Sequence, residues 1–336
     1  MVDIDDSSHL EDRRDGLVTL DLVIPMFNEE AVLPALLEVL QATFSPESCR
    51  QHRISRVSCV FVDDGSWDAS VRVVRETPAP SIAACVVRLS RNFGHQAAVT
   101  AGLDHSTADL VAILDADLQD PPDCVLDMIA RWREGFDIVY GQRRTRQEGP
   151  LKTGFAWAFY RVYRLLSPIA VPLDSGDFCL MSRRVVDELC RLPERVRFPR
   201  GLRSWIGFRQ AAVPYDRPAR HAGTSRYGWR ELYRLATDGI AAMSLRPLQL
   251  AQVLALAYFL ISVAAVAAYA FGWLRSASLQ TQISLILLLT IFSNGLVLFC
   301  LYVLGAYLGR AYLEVKGRPP YVVAEVLRPP DAGGAA

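Results

Sequence analysis

The chain has 336 residues, 51% of them hydrophobic, and carries 36 basic and 36 acidic side chains, for a formal net charge of zero. That length exceeds one average domain, and nucleic acid is not an expected partner of a chain with this balance. The seven cysteines, at 49, 59, 85, 124, 179, 190 and 300, form no C-x-x-C pair and no zinc-like spacing, so reduced thiols in a cytosolic domain are expected. In chain order, residues 1–16 are charged, lack the apolar core of a signal peptide, and are expected to form a disordered arm.

From Leu17 to Gly141, short apolar runs alternate with segments of helical spacing. LVTLDLVIP, RVSCVFVDD, AACVVRLS, ADLVAILDAD and FDIVYGQRR read as strands, and Glu29–Ala42, Trp67–Arg75, His95–Asp104 and Asp123–Glu134 read as helices. Apolar runs buried on both faces, separated by helices, predict an α/β fold with a doubly wound, mostly parallel sheet. Ligands of such sheets bind beyond the carboxyl ends of the strands.

Residues 150–167 mix aromatic and basic side chains, which fits an interfacial helix; a core helix with its arginines facing water fits the same spacing. Arg195 to Arg234 holds ten arginines against Asp216 and Glu231, a basic face hidden by the overall balance. Residues 229–246 read as a juxtamembrane amphipathic helix. Beyond Arg246, 28 residues without a formal charge precede Arg275, and 34 more precede Arg310. A bilayer core of about 30 Å needs roughly 20 helical residues, so two transmembrane helices are expected, about 247–274 and 281–309. Arg246, Arg310, Lys316 and Arg318 flank the pair, while the turn offers only Arg275. The positive-inside rule then places both termini and the 17–228 domain in the cytoplasm, with 311–336 as a cytoplasmic tail.

The strongest chemical signal is LDADLQDPP, where Asp115 and Asp117 follow a strand one residue apart. Two carboxylates there can hold a divalent cation shared with substrate phosphates. VIPMFNEE and VDDGSWD end the first two strands. Phe27 could flank a base, and Glu29, Asp63 and Asp64 could accept hydrogen bonds from it or its ribose; Asp63 and Asp64 could equally cap the next helix. Asp177, in LDSGDFCLMSRR, is a candidate catalytic carboxylate, with Asp174 as local rival and a helix cap before SRRVVDEL as the plainer role. His95, in SRNFGHQ, could contact a donor or only cap a helix; a zinc site or a triad with Ser90 and Asp104 is not expected.

IPMFNEE, VDDGS, SRNFGHQAAVTAGLDHS, LDADLQDPP, VYGQRR, DSGDFCLMSRR, RHAGTSRYG and YLGRAYLEVKGRPPY together resemble the polyprenyl-phosphate branch of the family 2 glycosyltransferases over about Asp21–Tyr321. That branch includes bactoprenol glucosyltransferases and dolichol-phosphate mannose synthases. The resemblance implies a GT-A fold and a nucleotide site at Pro25, Phe27, Glu29, Val62 and Asp64. It puts Asp115 and Ala116 beside the diphosphate, Asp117 and Gln119 nearest a Mg2+ or Mn2+ ion, Arg143 on the donor side, and Arg220 and Arg226 on phosphate. Phe27 stands where relatives often carry Tyr, and Arg226 where Lys is commoner. The implied enzyme is a plasma-membrane protein that moves a sugar, with inversion, from UDP-glucose (or, second, GDP-mannose) to a polyprenyl phosphate; a homotetramer is the weaker implication. A processive polysaccharide synthase would need a Q-x-x-R-W element and more spans, and a dinucleotide oxidoreductase a G-x-G-x-x-G after the first strand; neither motif is present.

Overall fold

The computed structural model describes residues 14–77, 82–144, 175–195, 197, 199–216, 244–271 and 278–328. The expected interfacial helix at 150–167, most of the 229–246 helix, Asp174, Arg220 and Arg226 lie outside them. The chain divides into two compact units, a sheet domain that includes the segment from Pro319 onward and a unit containing the two long apolar helices.

The sheet has eight strands in the order β7-β5-β6-β4-β1-β2-β3-β8. They are β1 Val18–Met26, β2 Ile54–Asp63, β3 Ala83–Leu89, β4 Leu110–Ile113, β5 Ile138–Arg143, β6 Ser175–Ser182, β7 Gln210–Tyr215 and β8 Val323–Leu327. β1 pairs in parallel with β2 and β4, and β2 with β3. Their side chains pack on both faces, as continuous apolar runs require: Leu20, Leu22, Ile24 and Phe61 on one face and Val23, Val62 and Val111 on the other are fully buried.

The helices of this domain are α1 Leu33–Thr43, α2 Pro46–Gln51, α3 Ser70–Glu76, α4 His95–His105, α5 Cys124–Arg133, α6 Arg183–Arg191 and α7 Pro199–Trp205. Leu33, Leu36, Leu37 and Leu40 form the buried stripe of α1. α4 approaches the sheet so closely that a Cβ on Gly102 would stand 2.2 Å from Val23 Cγ1, which admits only glycine.

Two helices start later than their apolar spacing suggests, α1 at Leu33 instead of Glu29 and α3 at Ser70 instead of Trp67. The reason is reciprocal capping. The N–H groups of Asn28, Glu29 and Glu30 donate to Ser66, Ser70 and Asp68, while those of Trp67 and Ala69 donate to Asn28 and Glu30. These bonds tie two strand ends together and satisfy the N–H groups ahead of each helix, so the chain enters both helices through a shared capping loop. Order also extends into the expected N-terminal arm, since Arg14 donates to Trp132 and Asp137.

Three strands are additions to the expected five. β6 runs antiparallel to both β4 and β5, β7 extends the sheet beside β5, and β8 returns after the apolar helices to pair antiparallel with β3. β8 covers an edge that would otherwise expose unpaired backbone groups.

In the other unit, α8 Arg246–Ala270 and α9 Leu279–Val315 are both long and apolar enough to cross a membrane. They pack antiparallel, with Tyr307 donating to the Ser244 carbonyl, Cys300 to that of Ala251 and Tyr258 to that of Leu289. Residues 244, 251 and 258 recur every seven positions, the spacing of a helix–helix seam. Away from it Leu256, Phe259, Ile286 and Leu298 lie exposed, as lipid-facing side chains would.

Candidate active site

The register Met26↔Asp63 and Val23↔Ile113 brings the carboxyl ends of β1, β2 and β4 side by side. Asn28 adopts a left-handed φ of 56° to turn the chain out of β1. Phe27 packs edge-on against Trp67, with ring centroids 5.0 Å apart, and Trp67 is otherwise exposed. Pro25 and Val62 are register partners, both buried, so any contact they make with a nucleotide is through backbone atoms.

Asp64 has a structural task. Its two carboxylate oxygens accept the N–H groups of Phe93 (2.7 Å) and Gly94 (2.9 Å), which fixes the entry to α4. Burial raises its pKa, against the lowering effect of those two bonds. Gly65 completes the junction at φ +77°, where a Cβ would stand 2.6 Å from the Arg91 carbonyl carbon. Asp63, fully buried, accepts the Ser66 N–H and lies 3.4 Å from Arg88.

The loop after β4 is held from below by an acid outside the sequence-predicted set. Asp120 accepts the Asp115 N–H at 3.5 Å and the Tyr215 hydroxyl at 2.9 Å, and Tyr215 in turn accepts Arg143 Nε at 3.4 Å. Burial, then the Asp120 charge, push the Tyr215 phenol up to about 12, so it remains a proton donor to Asp120. Leu118 turns the loop with φ 59°, and the Gln119 N–H donates to Asp117. Asp115, Asp117 and Gln119 keep partly exposed side chains, while Ala116 is buried.

Asp177 reaches the same place from a different direction. Because β6 is antiparallel to β4, with Ile113 opposite Cys179, the amino end of β6 lies beside the carboxyl end of β4. His95, the first residue of α4, places Nε2 3.3 Å from Asp177 Oδ2 and 3.8 Å from Asp115 Oδ1. Gln96 donates to Asp177 Oδ2 at 3.1 Å, and Arg200 Nε stands 3.4 Å from Oδ1. Asp177 is no helix cap, for the N-cap position of α6 is Ser182.

The electrostatics follow from this packing. Burial disfavours the imidazolium of His95, but the hydrogen bond to Asp177 and the charges of Asp115 and Asp177 outweigh it, lifting the pKa to about 9. Burial likewise raises Asp177, yet Arg200, His95 and Arg203 hold its carboxyl well below the usual carboxylate range. A carboxylate this stabilised is a poor general base. It is better suited to fixing the groups around it.

The donor set fits a hard divalent ion. Asp115, Asp117 and Gln119 offer oxygen atoms at an accessible loop, the ligand type Mg2+ and Mn2+ take. Among the described residues no three His, Cys, Asp or Glu side chains converge to hold an ion alone, so the protein would supply part of a shell and substrate phosphates the rest.

Local sequence signals single out Asp115, Asp117 and Asp64, and the family resemblance adds Arg143. Asp120, Gln96, Arg200, Arg203 and Tyr215 were outside the predicted set, and His95 was in it only as an alternative to a cap. The second acid of D-L-Q-D was the one visible clue to Asp120. Nothing local could join His95 to Asp177 across 82 positions of sequence.

A doubly wound, mostly parallel sheet whose acidic strand ends surround a D-x-D loop defines a GT-A type glycosyltransferase. The chain belongs to glycosyltransferase family 2, whose model, described as glycosyl transferase family 2, matches residues 21–190. An uncharacterized glycosyltransferase of Bacillus subtilis is 37% identical over 307 residues, 91% of this chain and 93% of that one. The bactoprenol glucosyl transferase of Shigella phage SfII is 34% identical over 310 residues, 90% of this chain and 97% of the phage protein. Among solved structures, a mannosyltransferase from Pyrobaculum calidifontis in complex with GDP-Man and Mn2+ aligns at 17% identity and a TM-score of 0.44, covering 90% of this chain and 88% of that one. Glucosyl-3-phosphoglycerate synthase from Mycobacterium tuberculosis, in complex with Mg2+ and UDP, aligns at 19% identity and a TM-score of 0.47, covering 70% and 80%.

Proposed function

We propose that this glycosyltransferase transfers glucose from UDP-glucose to a polyprenyl phosphate, with inversion at the anomeric carbon. The observation that carries the reading is the convergence of Asp115, His95, Asp177 and Arg200 at one strand end. Two helices of membrane-spanning length in the same chain and 34% identity to a bactoprenol glucosyl transferase over nearly its whole length supply the acceptor and the sugar.

In this reading Asp115, Asp117 and Gln119 hold the divalent ion, which would neutralise charge on the departing diphosphate. Arg143, braced by Tyr215 and Asp120, adds a second positive charge on the donor side. The acceptor is a phosphate monoester whose second pKa is about 6, so at neutral pH it is already an anionic nucleophile. Its oxygen forms the bond to the anomeric carbon as the bond to the β-phosphate oxygen breaks, and the electron pair leaves with the nucleoside diphosphate. No base is needed, which agrees with an Asp177 too stabilised to take a proton. The chain's own work is orientation and electrostatic stabilisation.

Full-length protein in proteoliposomes containing polyprenyl phosphate, offered labelled nucleotide sugars with Mg2+ or Mn2+, should convert UDP-glucose to a glucosylated lipid phosphate. Labelling from another nucleotide sugar alone would correct the donor. No labelled lipid from any of them would overturn the reading.

A further inference from the structure

Buried polar side-chain atoms in a folded protein almost always find a hydrogen-bond partner, so a concentration of exceptions marks a place built for something else. Among the described residues ten such atoms lack a hydrogen bond, and five adjoin Asp177: Gln96 Oε1, Nε and Nη2 of Arg203, and the facing pair Asp177 Oδ1 and Arg200 Nε, which meet only as an ion pair at 3.4 Å. Arg203 is 2% exposed, its guanidinium 5.5 Å over the Tyr140 ring. A buried guanidinium with open donors is costly, and this one is tolerated beside a carboxylate.

Arg200 and Arg203 are three residues apart on α7 and therefore share a face. Both are permanently charged, against the single carboxylate of Asp177, so this side of the site carries a surplus of positive charge. Arg203 is out of reach, but Arg200 is 29% exposed and open to a ligand. The two oxygens of Asp177 divide the site: Oδ2 faces His95 and Gln96 on the donor side, whereas Oδ1 faces Arg200. An anion at Arg200 would therefore approach Asp177 on the oxygen turned away from His95 and Gln96.

We infer that Arg200 receives the phosphate of the acceptor, and that Asp177 and Arg203 are positioning residues that aim its guanidinium. The inference rests on the proposed lipid-phosphate acceptor and names its binding residue. It also gives Asp177 a task other than proton abstraction.

The test uses full-length protein in detergent, with a short prenyl phosphate and the matching prenyl alcohol as probes. UDP with Mg2+ serves as the control for an intact fold. Arg200→Ala should weaken prenyl phosphate binding by about tenfold to a hundredfold, the range for a charge-assisted hydrogen bond, and leave UDP affinity unchanged. Arg200→Lys should recover part of the loss, and should decide the matter if Arg200→Ala no longer binds UDP. Asp177→Asn and Arg203→Met should raise the acceptor KM more than they lower kcat. Unchanged prenyl phosphate affinity in an Arg200 variant that still binds UDP would overturn the inference and leave the proposed function standing. So would an equal loss for the alcohol. A wild-type protein that does not prefer the phosphate over the alcohol would instead overturn the proposed acceptor itself.

Discussion

Both ends of the sheet bury carboxylates, and they treat them differently. At the amino ends, Asp21 accepts the N–H groups of Thr107 and Ala108, Asp109 accepts the N–H and hydroxyl of Thr19, and Asp137 is paired with Arg14 and Arg184. Each acid there is used up in closing a strand or joining two elements. At the carboxyl ends, Asp115 and Asp117 keep accessible side chains, and Asp177 gathers His95, Gln96 and Arg200 while polar atoms around it stay unpartnered. One end is finished as a structure. The other gathers charged groups around partly exposed carboxylates, and that contrast supports the proposed site without reference to relatives.

The comparison can be broken at its strongest point. Asp117→Ala should lower turnover by about a thousandfold, the scale on which preorganised electrostatic stabilisation is lost, with an unchanged circular dichroism spectrum. Asp137→Asn should do the reverse. Removing one partner of a buried charge cluster costs about 3 kcal/mol or more, so its melting temperature should fall while kcat/KM of the folded protein stays within a few-fold of wild type.

How far these two ends could be told apart from sequence depends on how local each signal is. The parallel strands were legible because β1, β2 and β4 are apolar on both faces, and Asp115 and Asp117 because they follow a strand end directly. β6 was hidden by SGD at its start, and β8 because VAEVL lies beyond the apolar helices and pairs with β3 more than 230 positions away in sequence. The two helix starts were placed too early for a related reason. Glu29 and Trp67 have helical spacing, but their N–H groups are claimed by another loop. The Asp177 cluster draws on α4, β6 and α7, so no single window of sequence contains it.

Smaller effects sharpen the account. Tyr215→Phe removes the hydroxyl that links Asp120 to Arg143 and leaves a buried carboxylate oxygen short of a donor, a loss of about 1–3 kcal/mol. Because that link braces the donor side, the KM for the nucleotide sugar should rise by about tenfold while the acceptor KM stays put, a split that steady-state kinetics would resolve.

The smallest expected effect is on acid stability. Asp177 has a folded pKa depressed below its unfolded value, so its pairing stabilises the fold fully above about pH 3.9, the ordinary carboxylate value, and is lost as pH falls below that. Asp177→Asn should therefore flatten the acid limb of the pH–stability curve, followed by near-ultraviolet circular dichroism.

The most direct measurement is a calorimetric titration of UDP with Mg2+ into three full-length proteins, each held well below its melting temperature: wild type, Asp117→Ala and Asp137→Asn. The account predicts binding by the wild type and by Asp137→Asn, and loss of binding in Asp117→Ala. Retention in Asp117→Ala together with loss in a folded Asp137→Asn would contradict it, for the diphosphate would then sit at the end of the sheet assigned to structure alone.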